Sequence, residues 1–389
     1  MRDAVIVEAV RTPVGKGKPN GALAHVHPVE LLAHTLRTLV ERSGIDPALI
    51  DDVIGGTVDQ VGEQAMNTTR YAVLSAGFPE TVPATTVDRQ CGSSQQAVHF
   101  AAQGVLSGAY DIVVACGVES MSRVPMWSNV PVGKDPFGPG VAARYPDGLV
   151  PQGISAELIA AKWSLTREQM DAFAVSSHHK AGAAWDAGLF NAETAPLEGL
   201  TRDESMRPSS TPEILAGLKP AYYDPSFAER FPQIGWNITA ANASPINDGA
   251  SAVLITSSET AERLGLRPLA RLHSFAVTGS DPVLMLTGVI PATEKVLHKA
   301  GLTIDEIDLF EVNEAFSSVV LAWQQETGAD LAKVNVHGGA IAIGHPLGAS
   351  GTRLTTTLVH ALRAQGARYG LQTMCEAGGL ANAMILEAV

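Results

Sequence analysis

The sequence is poor in the residues that mark several large classes of protein. Its only cysteines are Cys91, Cys116 and Cys375, an odd and small number that does not build a disulfide framework. We therefore expect a reducing compartment, the cytoplasm. Lys and Arg number 27 against 40 Asp and Glu, and the net charge of −13 argues against nucleic acid as the main partner.

Long apolar runs are also missing. No stretch approaches the length of a membrane-spanning helix. The first residues lack the apolar run of a signal peptide, and the last ones are not a peroxisomal address. Charged residues make up 17% and hydrophobic residues 46% of 389 positions, so a large core can be buried in two or three domains.

Short apolar runs alternate with helical patterns along the chain. Residues 28–42 place Leu31, Leu32, Leu36 and Val40 on one helical face. This alternation predicts an α/β layered fold. The runs interpreted as buried strands are residues 5–7, 52–55, 111–115, 252–255 and 309–312.

The two ends of the chain follow a similar plan. Residues 51–58 and 305–313 each begin a series of strand, helix, glycine-rich turn, long helix and strand. The repetition indicates an internal duplication. A Pro- and Gly-rich region separates the copies, and it is predicted either to bind substrate or to be a tolerated surface insertion. The predicted units are an N-terminal half (1–120, completed by about 245–260), a loop domain (121–244) and a C-terminal half (261–389).

Cys91 lies in the segment VDRQCGSSQQA, before a predicted helix. Unpaired N–H groups at a helix N-terminus stabilise a thiolate, so this cysteine is a candidate nucleophile. The alternative is a small buried apolar residue, which is the commoner use of cysteine.

His345 lies in GGAIAIGHPLGASG, with five glycines in residues 338–351. Tight backbone geometry around a single histidine favours a role as proton acceptor from a thiol at neutral pH. A structural histidine is the alternative, but the glycine frame favours the catalytic one.

Two further motifs carry groups suited to carbonyl chemistry. Cys375 ends a predicted strand in QTMCEAGG, where a thiol can act as an acid or base on carbon. Asn313 leaves a strand in VNEAF, where it can hold a water or polarise a carbonyl oxygen. Asn313 could equally be a helix N-cap.

These motifs, together with NASPINDGA at 242–250, resemble the thiolase family along nearly the whole chain. The resemblance implies a thiolase-like fold of two duplicated halves, each with a five-stranded mixed sheet, and an inserted loop domain. It also implies that Cys91 carries the acyl group and His345 accepts its proton. Cys375 would protonate the acetyl-CoA carbanion. Asn313 would hold a water at the enolate oxygen.

The resemblance also implies how substrate is held. Backbone N–H groups of Cys91 and Ala377 would form a second oxyanion hole. Ser244 and Arg207 would contact CoA, which is a substrate, so no cofactor or metal is expected. The expected reaction cleaves a 3-ketoacyl-CoA into acetyl-CoA and a shortened acyl-CoA, in fatty-acid or steroid breakdown. The expected partners are CoA, acyl-CoA and further copies of the chain, as a homodimer or homotetramer.

Three departures from the usual thiolase pattern bear on the substrate. Glu376 and Ala377 replace Ile and Gly of the common Cys-Ile-Gly-Gly-Gly form, as in actinobacterial thiolases of steroid breakdown. Pro245 stands where glycine is common. Pro151 and Gln152 occupy the place of the His-Met pair typical of the acetoacetyl-specific branch. A short-chain acetoacetyl-CoA acetyltransferase is therefore the alternative rather than the first prediction.

Other classes fit less well. The cysteines are far apart and His178 and His179 point to different helix faces, which argues against a zinc site. A dinucleotide-binding glycine motif is missing after the first strand. A decarboxylating ketoacyl synthase would lack the second cysteine, Cys375, and a non-catalytic acyl-CoA binder need not retain all four chemical residues. Cys116 is predicted to be structural.

Overall fold

The computed structural model describes residues 2–389 as alternating strands and helices. The strands are β1 Val5–Arg11, β2 Gly15–Lys16, β3 Asp52–Gly56, β4 Ala84–Val87, β5 Ile112–Ser120, β6 Asn247–Thr256, β7 Ala270–Gly279, β8 Leu309–Val312, β9 Tyr369–Glu376 and β10 Leu380–Ala388. The helices are α1 Pro28–Ser43, α2 Thr68–Ser75, α3 Ser93–Ser107, α4 Gly138–Arg144, α5 Gln152–Lys162, α6 Arg167–Asp186, α7 Pro212–Ala216, α8 Pro225–Arg230, α9 Ser258–Leu264, α10 Val289–Ala300, α11 Ser317–Thr327, α12 Ala340–Ile343 and α13 Ser350–Gln365.

The strands form one mixed sheet in the order β4-β3-β5-β6-β1-β7-β10-β9-β8, with β2 paired to β6. Strand β3 runs parallel to β4 and β5, and β8 runs parallel to β9, while the other pairs are antiparallel. The two halves of the sheet meet where Val5 and Ile6 pair with Arg271 and Ala270. The second half repeats the strand order of the first, because β8, β9, β10 and β7 take the places of β3, β5, β6 and β1.

The C-terminal half has four strands, and the prediction of five was wrong for this half. Val334 makes only a single parallel bridge to Phe310, where β4 pairs with β3 in the first half. The next residue, Asn335, has a φ of 46° and so leaves the extended conformation. Its side chain takes over the pairing: Oδ1 accepts from the N–H of Val312 and Nδ2 donates to the Val312 carbonyl, both at 2.9 Å.

The segment between β5 and β6 contains helices α4 to α8. A capping box begins α6, since Thr166 Oγ1 accepts from Gln169 N–H and Gln169 Oε1 accepts from Thr166 N–H. Short helices also form in stretches predicted as loop. Proline at the first position of α7 and of α8 fixes a helical φ, and Thr211 and Asp224 cap these helices.

Helices α3 and α13 pack against each other beside the sheet, and their closest approach needs glycine. A Cβ on Gly351 would lie 2.1 Å from the backbone nitrogen of Gln95. Beside it, the N–H of Thr352 donates to Ser94 Oγ at 3.0 Å. The first turns of the two helices are therefore in contact, which brings the Cys91 and His345 motifs to one place.

No helix within residues 2–389 is both long enough and apolar enough to cross a membrane.

Candidate active site

Cys91 lies in the tight turn between β4 and α3. Gln90 has a φ of 49°, and Gly92 is the N-cap of the helix. Gly92 leaves no room for a side chain, because a Cβ there would lie 1.9 Å from Glu376 Oε1. The turn from the first half therefore packs directly against the end of β9 from the second half. Cys91 itself is buried.

The pKa of Cys91 differs from the expectation for a helix N-terminus. Burial, with the nearby Glu376 carboxyl, raises it to about 12. Its own backbone N–H and the side chain of Gln152 act in the opposite direction without cancelling this effect. In the substrate-free chain Cys91 is a thiol, so a base must remove its proton as it attacks.

His345 is held in one tautomer by its neighbours. Its Nδ1 lies 2.6 Å from Ser350 Oγ, and that hydroxyl donates its only proton to the Pro346 carbonyl at 2.8 Å. Ser350 must therefore accept from His345, which places the ring proton on Nδ1 and leaves Nε2 unprotonated, as a hydrogen-bond acceptor. The backbone N–H of His345 donates to Asn247 Oδ1 at 3.0 Å and fixes the loop.

The imidazole of His345 is neutral. Burial, assisted by the charge of Arg353, lowers its pKa to about 3. A neutral ring with an unprotonated Nε2 can accept a proton from a thiol. In the structure, His345 is therefore in the neutral form that its predicted role as proton acceptor requires.

Asn313 lies beside this acceptor nitrogen. Its Nδ2 is 3.4 Å from His345 Nε2, and its backbone N–H donates to the Thr373 carbonyl at 3.1 Å. The buried Oδ1 has no hydrogen-bond partner in residues 2–389. Helix α11 has Phe316 as its N-cap, so the alternative interpretation of Asn313 as a cap is wrong.

Cys375 is fully buried as the second-to-last residue of strand β9. Burial and the proximity of Cys91 and Glu376 raise its pKa well above that of an ordinary thiol. The structure therefore brings Cys91 and Cys375 close enough to interact, although 284 positions separate them in the chain. Cys116, by contrast, lies within β5 in the apolar core of the first half.

Glu376 is a buried carboxyl for which the motifs predicted no catalytic role. Neither of its oxygens has a hydrogen-bond partner in the described part of the chain. Burial raises its pKa to about 8; Arg89 lowers the pKa and Asp88 raises it. Ala377, next along the chain, lies in the turn after β9 and lines the same cavity as Cys91.

The Cys91 cavity has a volume of about 420 Å³ and is mostly apolar. Pro151 and Gln152, which together form one of the three departures from the usual thiolase pattern, are part of its wall. Its other walls come from the ends of β3 and β9, the loop after β5, and the start of α5. The lining residues are Val58, Asp59, Gln90, Cys91, Met126, Trp127, Asn129, Val130, Pro136, Phe137, Leu149, Val150, Pro151, Gln152, Met285, Leu347, Ala377, Gly378 and Leu380.

A second cavity, of about 410 Å³, brings Ser244 and Arg207 together. Its rim also contains Lys16 and Lys18, which sequence reasoning missed because isolated lysines give no signal. The Ser244 loop adjoins the Asn313 motif, since Ser244 N–H donates to the Ala315 carbonyl at 3.0 Å. The second cavity is therefore basic and continuous with the loop that holds Asn313.

Glu119, also missed from the sequence, ties together the loops around the site. The carboxylate accepts from the N–H groups of Val58, Asp59 and Gly348 and from Gln64 Nε2, at 2.6 to 3.2 Å. A glutamate inside the apolar run of β5 was the signal that could have found it. Burial raises its pKa to about 7 despite these four donors.

The two adjacent histidines do not make a metal site. His178 Nδ1 accepts from the N–H of Arg207 at 3.2 Å, while His179 Nε2 lies 3.0 Å from the carbonyl of Ser210. Residues 2–389 contain no group of three or more His, Cys, Asp or Glu side chains arranged to hold a metal ion.

Comparison with known proteins gives a consistent family. The N-terminal thiolase domain matches residues 4–259 and the C-terminal thiolase domain matches residues 266–388. A steroid 3-ketoacyl-CoA thiolase of Mycobacterium tuberculosis is 50% identical, over 100% of this chain and 94% of its own length. A 3-ketoacyl-CoA thiolase of Bacillus subtilis is 40% identical over 100% of both chains.

Solved structures confirm the predicted thiolase-like fold. Human mitochondrial 3-ketoacyl-CoA thiolase in complex with CoA superimposes with a TM-score of 0.89 at 34% identity, covering 100% of this chain and 98% of the other. An acetyl-CoA acetyltransferase of Bacillus anthracis gives 0.88 at 37% identity, covering 100% and 99%. The chain therefore belongs to the thiolase family of acyltransferases.

Proposed function

We propose that this protein cleaves a 3-ketoacyl-CoA with CoA, releasing acetyl-CoA and a shortened acyl-CoA, in the breakdown of fatty acids or steroids. The observation that carries the proposal is the proximity of two buried thiols, Cys91 and Cys375. The neutral His345, with Nε2 as an acceptor, lies on the loop before α13, and the first turn of α13 contacts the first turn of α3, which follows Cys91. The names of the 3-ketoacyl-CoA thiolase relatives support the same reaction.

The first half of the reaction breaks a carbon–carbon bond. The Cys91 sulfur attacks the 3-keto carbon while His345 Nε2 takes the thiol proton. The bond to the acetyl-CoA unit then breaks, and its electron pair forms the enolate of acetyl-CoA. The Cys375 thiol delivers a proton to that carbon. A water held by the unpaired Oδ1 of Asn313 would stabilise the enolate oxygen together with His345.

The second half returns the enzyme to its starting state. The incoming CoA thiol gives its proton to the Cys375 thiolate and attacks the acyl carbon bound to Cys91. The backbone N–H groups of Cys91 and Ala377 would hold the oxyanion of this step. The Cys91 sulfur leaves and recovers its proton from His345, so that every proton is accounted for.

The basic cavity suits CoA, which we propose as substrate, with no separate cofactor. Lys16, Lys18 and Arg207 at its rim complement the negative phosphates of CoA. Ser244 lies on the wall of the same cavity, next to the Asn313 loop. We further propose that residues 121–244 act as a loop domain that, with Ser244 at its border, contributes most CoA contacts.

We also propose a homodimer or homotetramer, in the cytoplasm. Strand β4 ends the sheet, so one of its edges is unpaired within the described chain. Met66, Tyr71 and Leu74, on and before the neighbouring helix α2, are exposed apolar side chains. An exposed strand edge beside apolar side chains favours pairing with a second copy.

The size and apolar wall of the Cys91 cavity favour bulky acyl groups over acetoacetyl-CoA. The alternative short-chain activity is kept because a solved acetyl-CoA acetyltransferase has the same fold at 37% identity. The deciding experiment is CoA-dependent thiolysis of acetoacetyl-CoA, a long-chain 3-ketoacyl-CoA and a ring-bearing one, compared by kcat/KM. Higher values for the two bulky substrates support the proposal. A higher value for acetoacetyl-CoA assigns the short-chain reaction, and no cleavage of any of them overturns the proposed function.

A further inference from the structure

The wall of the Cys91 cavity contains an ionisable side chain, Asp59, that the proposed reaction does not use. Asp59 follows β3 and is 1% exposed, yet it belongs to the lining of the cavity. Its backbone is anchored, because the Asp59 N–H donates to Glu119 Oε1 at 3.2 Å. Its Oδ1 has no hydrogen-bond partner anywhere in residues 2–389.

The other polar side chains of the cavity wall have partners or face solvent. Gln90 Nε2 lies 3.4 Å from a carboxylate oxygen of Asp88. Gln152 reaches the Cys91 thiol and lowers the pKa of that thiol. Asn129 is exposed. Asp59 is thus the buried polar group of this wall that retains an unused acceptor.

Keeping such a group costs stability. A buried polar atom without a hydrogen bond loses its hydration without compensation. Burial raises the pKa of Asp59, the N–H groups of Asn129 and Trp127 oppose that rise, and the charge of Asp88 adds to it. Whether the carboxyl is ionised or protonated, a hydroxyl group can bond to it, since a hydroxyl both donates and accepts. A keto oxygen would suit only the protonated form, because it cannot donate.

We propose that Asp59 is a specificity residue that binds a hydroxyl group on the acyl portion of the substrate. This inference rests on the proposed thiolase reaction, and it adds a chemical requirement on the acyl group. The bulky acyl group that fills the apolar cavity would carry a hydroxyl at the depth of Asp59. Rejection of an acyl group without the hydroxyl follows from the unpaired carboxyl that it would leave behind.

The test compares, for each variant, kcat/KM on substrates that differ only by one hydroxyl group. A straight-chain ten-carbon 3-ketoacyl-CoA is paired with a series that carries one hydroxyl at successive carbons beyond the keto group. Thiolysis kcat/KM is measured for the wild type, Asp59→Asn and Asp59→Leu. Asp147→Leu, which changes an exposed aspartate outside the cavity wall, is the matched control.

The wild type should prefer at least one hydroxylated substrate by about 10-fold to 100-fold, as expected for a hydrogen bond to a charged group. The preference should shrink in Asp59→Asn, vanish in Asp59→Leu and persist in Asp147→Leu. A wild type that cleaves the plain substrate at least as well as every hydroxylated one would overturn the inference, even with thiolase activity intact. A preference that survives Asp59→Leu would do the same. Absence of thiolysis on all substrates would instead remove the proposed function.

Discussion

Glu119 and Glu376 end the matching central strands β5 and β9 of the two halves, but their surroundings are opposite. Glu119 accepts hydrogen bonds from four donors on two connections, β3–α2 and α12–α13. Glu376 accepts none within residues 2–389 and presses against Gly92 beside Cys91. The difference shows that one position of a duplicated fold anchors the surrounding loops in one half and places an ionisable carboxyl beside the reacting thiols in the other.

The helices that follow show the same division. In the first half, Cys91 lies directly before α3. In the second half, the glycine-rich stretch containing α12 precedes α13 and carries His345. The first half therefore supplies the proposed nucleophile. The second half supplies the proposed acid–base groups His345 and Cys375, and also Asn313, which is proposed to hold a water.

Removing the nucleophile should give the largest effect. Cys91→Ala should lower kcat/KM for thiolysis by roughly 10⁴-fold or more, because no sulfur remains to form a thioester with the acyl group. Cys116→Ala, at the buried cysteine of β5, is the matched control and should keep most activity. Steady-state thiolysis rates of both variants test whether Cys91 is the nucleophile, and circular dichroism verifies that both variants fold. Activity of Cys91→Ala within tenfold of wild type would assign the nucleophile elsewhere.

Removing the second thiol should separate the two half-reactions. Cys375→Ala should still form the acetyl-enzyme at Cys91 from acetyl-CoA, detected as a mass increase of the intact protein. Condensation in the reverse direction should fall by about 10²- to 10⁴-fold, since no group remains to move the proton on carbon. Near wild-type condensation would remove Cys375 from the acid–base role.

Truncating the two glutamates should give unequal losses of stability. Glu119→Ala leaves several buried N–H groups without an acceptor and should lower the free energy of unfolding by about 3 kcal/mol. Glu376→Ala leaves no such donor and should change it by about 1 kcal/mol or less. Urea denaturation of both variants and wild type measures the difference. Equal losses would mean that the contrast between the two carboxyls has no energetic consequence.

Neutralising Glu376 should make Cys91 more reactive toward alkylation. The carboxylate is one of the groups that raise the pKa of Cys91, so Glu376→Gln should lower the apparent pKa for iodoacetamide modification by about one pH unit. Asp147→Asn, at an exposed site, is the control and should leave the profile unchanged. An identical profile for Glu376→Gln and wild type would contradict the electrostatic coupling.

The same variant has a predictable effect on the pH dependence of stability. The folded chain raises the pKa of Glu376 from 4.5 to about 8, so folding favours the protonated carboxyl. Its contribution is fully present below pH 4.5 and is lost as the pH rises through about 8. Melting temperatures of wild type should therefore decline relative to Glu376→Gln over this window. A constant difference between the two would show that the carboxyl does not titrate there.

Much of this arrangement could be predicted from local patterns. Motifs around Cys91, Asn313, His345 and Cys375 place reactive groups at strand ends and glycine turns, and the repeated series of elements indicated the duplication. The count of five strands in the second half failed at Asn335, whose side chain replaces backbone pairing. Hydrophobic periodicity cannot reveal a side chain that forms the hydrogen bonds of a neighbouring strand.

Residue types and their order were enough to specify the α/β class, the chemistry and the candidate residues, because these depend on short segments. The protonation states needed the folded chain. Cys91 remains a thiol because it is buried against Glu376. His345 presents an unprotonated Nε2 because its ring proton lies on Nδ1, which donates to Ser350 Oγ. The unpaired oxygen of Asp59 likewise exists only because folding buries this side chain in the cavity wall. Burial and long-range contact set these properties, and neither is encoded in any one segment.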